Sequence, residues 1–467
     1  MSDRWTIATL GAAMAAGRIS PLEITRELLT RVGRLDGRVH SFITVDEDGA
    51  LQAARARTEE LAGGRRPGPL HGIPLAYKDL CRIPGLPTSC GTRTRDYFVT
   101  DVECTAVRRL REAGAVTLGS LNMSELALGP FGDNAHHGDV DNPRRPGHCA
   151  GGSSSGSAAA VAAGFALGAV GSDTGGSIRL PAACCGVVGL KPTYGYVSRA
   201  GAMPLSWSLD HLGPLAGTVG DVALLLEAIA GHDPRDGTSS RRPAPRANAI
   251  ESGAAGLRVG VPENYFVDGL APEVEAGLAE AIRVVERVAA GVKTIRVPDP
   301  TTIVDASQVL VACESATIHA RVLRERPHEL QPVVRGRLEV GLHISAHDYL
   351  QAARLRAGAA RAFIQEVFAE VDLLLAPTTP EPALAWAVAK AGSADDVIQR
   401  MRRFSRLTRP FNGLGLPALS LPCGTSPDGR PLAFQIVGRP FDEVSVMRLG
   451  RACERETGWT ESGPPIV

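Results

Sequence analysis

Helical and strand patterns alternate along this 467-residue chain, and that order limits the folds open to it. Residues 105–113 have helical periodicity, stop at Gly114, and give way to an apolar strand at 116–121. The same order recurs where 158–164 leads into 169–172, and 219–230 again precedes strand sequence. Helix followed by strand, repeated, predicts an α/β protein whose sheet is covered by helices on both faces. Residues 72–80 read as a buried strand, as do 257–261, 372–376, 418–422 and 432–437. The stretch 6–62 is helical in pattern, with Ser20 as an N-cap and Pro21 at the first helical position. Further helices are expected at 272–290 and across much of 305–370. Pro67-Gly68-Pro69 interrupts the chain, and 233–252, rich in Pro, Arg, Ser and Gly, reads as a surface excursion. No repeat or linker divides the sequence. One domain is expected over 1–467: N-terminal helices in 1–65, a catalytic core in 66–235, and the rest of the sheet with the pocket helices in 236–467.

Composition narrows the class. At 44% hydrophobic and 4% aromatic, the core must rest on Ala, Val and Leu. A net charge of zero offers no footprint for nucleic acid or for an acidic membrane surface. The nine cysteines are scattered and form no CxxC pair, which argues against both a disulfide framework and a zinc site. Reduced thiols and a cytoplasmic location are the simpler expectation. Met1-Ser2-Asp3-Arg4-Trp5 has no apolar signal core. The longest apolar run, 158–171, is too short and too rich in Ala and Gly to span a bilayer, and reads as a tightly packed core helix.

Three segments carry chemistry. Gly151-Gly152-Ser153-Ser154-Ser155-Gly156-Ser157-Ala158 and Gly171-Ser172-Asp173-Thr174-Gly175-Gly176-Ser177-Ile178-Arg179 set hydroxyls among glycines, whose N–H groups can face a developing negative charge. Upstream, Gly72-Ile73-Pro74-Leu75-Ala76-Tyr77-Lys78-Asp79 holds a lysine in an apolar run. Lys78 is one of only four lysines, with Lys191, Lys293 and Lys390, in a chain with 50 Lys and Arg together. Arginine cannot give up its proton; a desolvated lysine can. Plainer readings compete at each position. Ser177 could sit in an ordinary Gly-Ser turn, and 153–157 could be N-capping serines. Gly152–Gly156 also fits G-x-S-x-G, but a nucleophile elbow needs a preceding strand, and 142–148 looks like loop. The block lacks the lysine and spacing of a phosphate-binding loop. His136-His137 and the pair His343 and His347 lack a third ligand in pattern, and Cys184-Cys185 lacks an adjacent base. Asp173 and Arg179 suit an ion pair bracing the glycine turn.

Taken together, these segments resemble the amidase signature family of serine hydrolases. The likeness extends through Leu118–Glu125, Gly186–Thr193, Gly415–Pro422 and Gln435–Pro440, over nearly the whole chain. It implies a large mixed sheet with helices on both faces and a Ser–cis-Ser–Lys catalytic set. Ser177 would be the nucleophile, Ser153 the bridging serine on a cis peptide, and Lys78 the base. The backbone of Thr174, Gly175, Gly176 and Ser177 would form the oxyanion hole, with Ser155 supporting the hydrogen bonds and Asp173 and Arg179 bracing the loop. No cofactor or metal is implied. By motif position Leu126–Phe131 should line the acyl pocket, with Ala127, Leu128 and Gly129 against the substrate. That segment is apolar, which suggests a small uncharged amide, anilide or carbamate, of the kind an aryl acylamidase or urethanase would take. The rival within the family is the amidase component of a tRNA-dependent amidotransferase, which releases ammonia from glutamine for a partner protein. That component usually has Ser-Ser-Gly-Gly-Ser where this chain has Ser-Ser-Ser-Gly-Ser, a difference that leans towards a free-standing amidase; a monomer or homodimer is expected. A non-catalytic scaffold on the same fold would have no reason to keep Lys78, Ser153 and Ser177 together.

Overall fold

The computed structural model describes residues 5–65 and 68–459. Most of the N-terminal pentapeptide and Pro67 lie outside the described residues. Within them one sheet holds eleven strands: β1 (Phe42–Val45), β2 (Pro74–Lys78), β3 (Val116–Leu121), β4 (Gly168–Asp173), β5 (Val188–Lys191), β6 (His211–Ala216), β7 (Arg258–Pro262), β8 (Gly291–Ile295), β9 (Leu373–Pro377), β10 (Ala418–Thr425) and β11 (Pro431–Gly438). Their order is β1-β3-β2-β4-β6-β5-β10-β11-β9-β7-β8. β2 pairs in parallel with β3 and β4, and β7 with β8 and β9; the other pairings are antiparallel. The sheet is therefore mixed, as the resemblance implies.

Side chains along a strand point alternately to opposite faces. Here both faces are apolar. Leu373 and Leu375 of β9, and Phe434 and Ile436 of β11, enter one core; Leu374, Ala376 and Val437 enter another. The sheet is thus buried on both sides, and helices must cover both, as the alternation predicts. Helix Pro21–Val39 starts as read, Ser20 capping it and exchanging hydrogen bonds with Glu23. Every residue of helix Ser155–Ala162 is buried, so the Ala-rich run is the packed core helix expected of it. No described helix is long and apolar enough to cross a membrane.

Four strands escape the sequence pattern. β1 interrupts the helical stretch 6–62, falling between helices Pro21–Val39 and Glu47–Ala62. β5 is only Val-Gly-Leu-Lys. β6 contains Pro214, a residue that argues against a central strand, yet Pro214 lies opposite Val170 in the ladder. Its neighbour Gly213 is there because β5 comes so close: a Cβ on it would meet Leu190 O at 2.2 Å. β8 lies at the sheet edge with Lys293 and Thr294 exposed, so its apolar signal is weak. The excursion 233–252 is anchored at its start, where buried Asp233 accepts hydrogen bonds from Thr105 and Ser198.

Gly156 shows how tightly the central helix is set. A β-carbon there would lie 2.3 Å from Ser41 O and 2.6 Å from both Asn122 N and O. Gly156→Ala is expected to cost about 1–3 kcal/mol through overpacking. Gly33→Ala, on an exposed helical turn with nothing within 4 Å, should instead add up to about 1 kcal/mol. Denaturant midpoints of the two variants, shifting in opposite directions, check the packing.

Candidate active site

The site forms at the carboxyl ends of β2 and β4, where two parallel strands leave room for a ligand beyond their last residues. Lys78 is the last residue of β2 and is fully buried. Its Nζ lies 2.7 Å from Ser153 Oγ, 3.0 Å from Ser154 Oγ and 2.9 Å from Ser172 Oγ. Three hydroxyls and no carboxylate surround the amine. Desolvation disfavours its charged form and brings its pKa down from 10.5 to about 7. The Gly152–Ser153 peptide bond is cis, as the resemblance implies for the bridging serine.

The glycine turn after β4 is organised by Asp173. Its carboxylate accepts from Gly176 N–H at 2.7 Å, Ile178 N–H at 3.2 Å, Asn412 Nδ2 at 2.8 Å and both Arg179 Nε and Nη2 at 3.0 and 3.1 Å. Asp173 and Arg179 are both wholly buried. Burial alone would raise the Asp173 pKa; the Arg179 guanidinium and its hydrogen bonds outweigh that and hold it well below the usual carboxylate range. Arg179 is satisfied in turn by Gln435 of β11 and by Asn412. The predicted brace is thus in place, with two partners more than two hundred residues away that the local motif cannot reveal. Gly176 has φ +128°, and a Cβ on it would lie 2.2 Å from Thr408 Oγ1, so only glycine fits.

Ser177 is partly exposed and faces a cavity of about 350 Å³. Among the described residues no hydrogen bond joins its Oγ to Ser153 Oγ; its backbone carbonyl accepts from Ser154 N–H at 3.1 Å. The expected oxyanion hole needs one revision. Gly176 N–H is committed to Asp173, which leaves the N–H groups of Thr174, Gly175 and Ser177 without hydrogen-bond partners among the described residues. Ser155 also differs from expectation. It is buried, but its Oγ has no partner, whereas Ser154 contacts Lys78 and donates to Ser172 O at 3.0 Å. Ser155 opens helix Ser155–Ala162, while Ser154 and Ser172 converge on the amine from the serine block and β4. Both hydroxyls stand in the quoted blocks, but the pattern does not say which of five neighbouring serines turns towards the lysine.

Ala127, Leu128 and Gly129 line the cavity as expected, joined by Pro130 and Leu180. Leu126 and Ala127 have φ of 51° and 61°, left-handed values that cost non-glycine residues about 1–2 kcal/mol each. The far wall is not legible in the central motifs. It comes from helices Thr301–Ile318, Pro332–Val340 and Ala394–Phe404 and from the start of helix Arg409–Gly413, and includes Arg337, Arg402 and Arg409. An apolar segment at 126–131 therefore describes only one side of the pocket, and the expectation of an uncharged substrate drawn from it does not carry to the other side. Of the remaining candidates, His136 Nε2 lies 2.9 Å from Glu125 Oε1, and His343 and His347 fall in separate elements. Among the described residues no cluster of three His, Cys, Asp or Glu could hold a metal ion.

A mixed sheet carrying a buried lysine, a cis-peptide serine and a serine on a glycine turn is the arrangement that the amidase signature resemblance implies. The family profile described as Amidase matches residues 23–447. The chain belongs to the amidase family. It is 39% identical to a Chloroflexus aurantiacus protein named as a subunit of glutamyl-tRNA(Gln) amidotransferase, over 99% of this chain and 98% of that one. It superposes with a TM-score of 0.90 on a structure described as "An unexpected vestigial protein complex reveals the evolutionary origins of an s-triazine catabolic enzyme", 34% identical over 97% of this chain and 99% of that one. The peptide amidase of Stenotrophomonas maltophilia is 31% identical, with a TM-score of 0.86, over 99% and 98% of the two chains.

Removing one partner of a buried ion pair strands the other. Asp173→Asn should cost about 3–5 kcal/mol, read from denaturant unfolding. The sign with pH follows from the lowered pKa: the Asp173 contribution is present above the ordinary carboxylate range and is lost as pH falls below it. Stability of the wild type relative to Asp173→Asn should therefore shrink on acidification below about pH 4.

Proposed function

We propose that the chain hydrolyses the C–N bond of a small amide through an acyl-enzyme on Ser177, with Ser153 as proton relay and Lys78 as base. The observation that carries this reading is the buried Lys78 amine, 2.7 Å from the hydroxyl of the cis-peptide serine. A pKa of about 7 leaves a large neutral fraction of the amine at physiological pH, where a base is most effective.

Neutral Lys78 takes the Ser153 proton while Ser153 takes that of Ser177. The Ser177 oxygen bonds to the carbonyl carbon, and the π pair moves to the carbonyl oxygen. The free N–H groups of Thr174, Gly175 and Ser177 are the donors available to that oxyanion, held rigid by the Asp173 brace. As the carbonyl re-forms, the C–N bond breaks, and the proton on Lys78 returns through Ser153 to the leaving nitrogen. Water then attacks the seryl ester by the same route, releasing the acid and restoring Ser177. The Ser153–Ser177 link has to close when substrate binds, by rotation about the Ser177 Cα–Cβ bond. Catalytic hydrogen bonds commonly tighten only in the substrate complex.

A second reading has specific support: the end-to-end likeness to proteins named as a component of glutamyl-tRNA(Gln) amidotransferase. On that reading the amide is glutamine, the product is ammonia, and the chain works beside partner proteins. Carbamates carry the same carbonyl–nitrogen bond and belong in the same substrate panel. Amine release by the purified chain separates the readings. Turnover of simple amides, anilides or carbamates without a partner supports a free-standing amidase. Activity confined to glutamine, and raised by a partner, supports the amidotransferase reading. Ser177 should be labelled by a fluorophosphonate probe, and Ser177→Ala should abolish both labelling and turnover.

Lys78→Arg keeps the charge but cannot supply a neutral base, and should lower kcat by about 10²–10⁴-fold. In the wild type, kcat/KM should rise with pH through about 7 as Lys78 loses its proton. The same lowered pKa has an equilibrium signature. The unfolded lysine keeps its proton up to about pH 10.5, so the Lys78 contribution to stability is fully present above that value and is lost as pH falls towards 7. The melting temperature of the wild type relative to Lys78→Met should therefore rise between pH 7 and 10; a flat difference would remove the buried-base argument.

A further inference from the structure

The cavity that Ser177 faces carries charge of one sign. Arg337, Arg402 and Arg409 line the cavity, and no Asp or Glu does. Arg409 donates from Nε to Ser405 Oγ at 2.9 Å, and among the described residues none of the three arginines has a carboxylate within salt-bridge distance. Elsewhere arginines are matched with acids, as at Arg258–Asp372 and Arg287–Glu456; these three converge on one cavity without one. One acid acts on the trio from outside the lining: Asp133, whose carboxyl burial pushes up, is felt by Arg337 without forming a salt bridge to it. Tyr265 faces Arg409, and it too is pushed up by burial and stays neutral. Burial and mutual repulsion bring Arg337 and Arg409 down to about 10, still fully charged near neutral pH. Cations crowded together in a confined space and left without counter-ions are what an anionic ligand relieves.

The position of Arg409 sets the scale. A β-carbon built on Gly175 would lie 3.7 Å from Arg409 Cγ, so the arginine stem passes directly over the glycine turn. Thr408, the residue before it, donates to Gly175 O at 2.8 Å and fixes the stem there. An anion gripped by this guanidinium is only a few bonds from a carbonyl presented to Ser177. The opposite charge fares badly in the same space. A substrate ammonium would share the cavity with three guanidinium groups, and the neutral polar groups present, Ser307, Gln308 and Ser315, can accept hydrogen bonds but cannot neutralise it.

We propose that the acyl half of the substrate is a short chain bearing a carboxylate and no ammonium group, as in the monoamide of a small dicarboxylic acid, with the arginine wall as its anion clamp. This rests on the amidase reading of Ser177 and refines it: free glutamine, whose α-ammonium would meet that wall, is disfavoured against the same molecule without its amino group.

The test uses the full chain in two arms. In the kinetic arm, malonamate, succinamate and glutaramate are compared with propionamide and butyramide, and glutaramate is compared with glutamine, from which it differs by the α-amino group alone. The expected result is a kcat/KM about 10-fold or more higher for at least one anionic amide than for the neutral ones, and for glutaramate over glutamine, in line with a charge-assisted hydrogen bond. Arg409→Gln and Arg337→Gln should collapse the anionic-to-neutral ratio, chiefly through KM, and Arg409→Lys should keep more of it than Arg409→Gln. The binding arm needs no turnover. Malonate, succinate or glutarate should raise the melting temperature of Ser177→Ala protein, less so at high salt and less so when Arg409→Gln is added. Preference for neutral amides or for glutamine overturns the proposal, and so does the absence of any dicarboxylate-induced shift. Dicarboxylate binding that depends on Arg409, with no amide turned over and no probe labelling of Ser177, upholds the anion clamp and sinks the amidase reading instead.

Discussion

The carboxylate of Asp173 is the point from which the rest of the site is held. It lies at the end of a central strand, has no contact with water, and takes hydrogen bonds from the backbone of its own turn, from Arg179 and from Asn412. A buried charge is tolerable only when paired and hydrogen-bonded, and here it is both. Its satisfaction fixes the path of the glycine turn, and the turn fixes Ser177. Arg179 carries the constraint across the sheet to Gln435 in β11, so the brace draws on both ends of the sequence.

Beside it lies the opposite design. Lys78 is equally buried but has no counter-ion in contact, only the hydroxyls of Ser153, Ser154 and Ser172. An acceptor-rich but uncharged shell keeps the amine wired in place without stabilising its proton. One buried cation, Arg179, is neutralised and structural; the other, Lys78, is left free to lose its charge. The chain draws that distinction with its choice of residue type, since only lysine among the two can be deprotonated in a protein.

Much of this was legible in the sequence because it is local. The strand ending in Lys78, the buried Ala-rich helix and the Asp173–Arg179 brace all follow from short-range pattern. What escaped did so for physical reasons. β6 hides behind Gly213 and Pro214, residues whose reason lies in the closeness of β5 rather than in any intrinsic strand preference. The turn of Ser154 rather than Ser155 towards the amine depends on where helix Ser155–Ala162 begins, within one residue. The engagement of Gly176 N–H by Asp173 is a matter of backbone direction. Arg337, Arg402 and Arg409 are invisible as a group, since in sequence they are three among many arginines on amphipathic helices.

The position of that arginine wall in the chain has a practical meaning. The groups assigned to bond cleavage lie between residues 78 and 179, on the strand ends and the turn, whereas the arginines come from helices beginning at Pro332, Ala394 and Arg409. The two stretches are not independent, since Thr408, Asn412 and Gln435 from the later one hold the glycine turn and its brace. Recombination between members of this family with a crossover near residue 300 would therefore exchange the arginines together with the supports of the turn, so a new selectivity would have to arrive with residues that still fit Asp173 and Arg179.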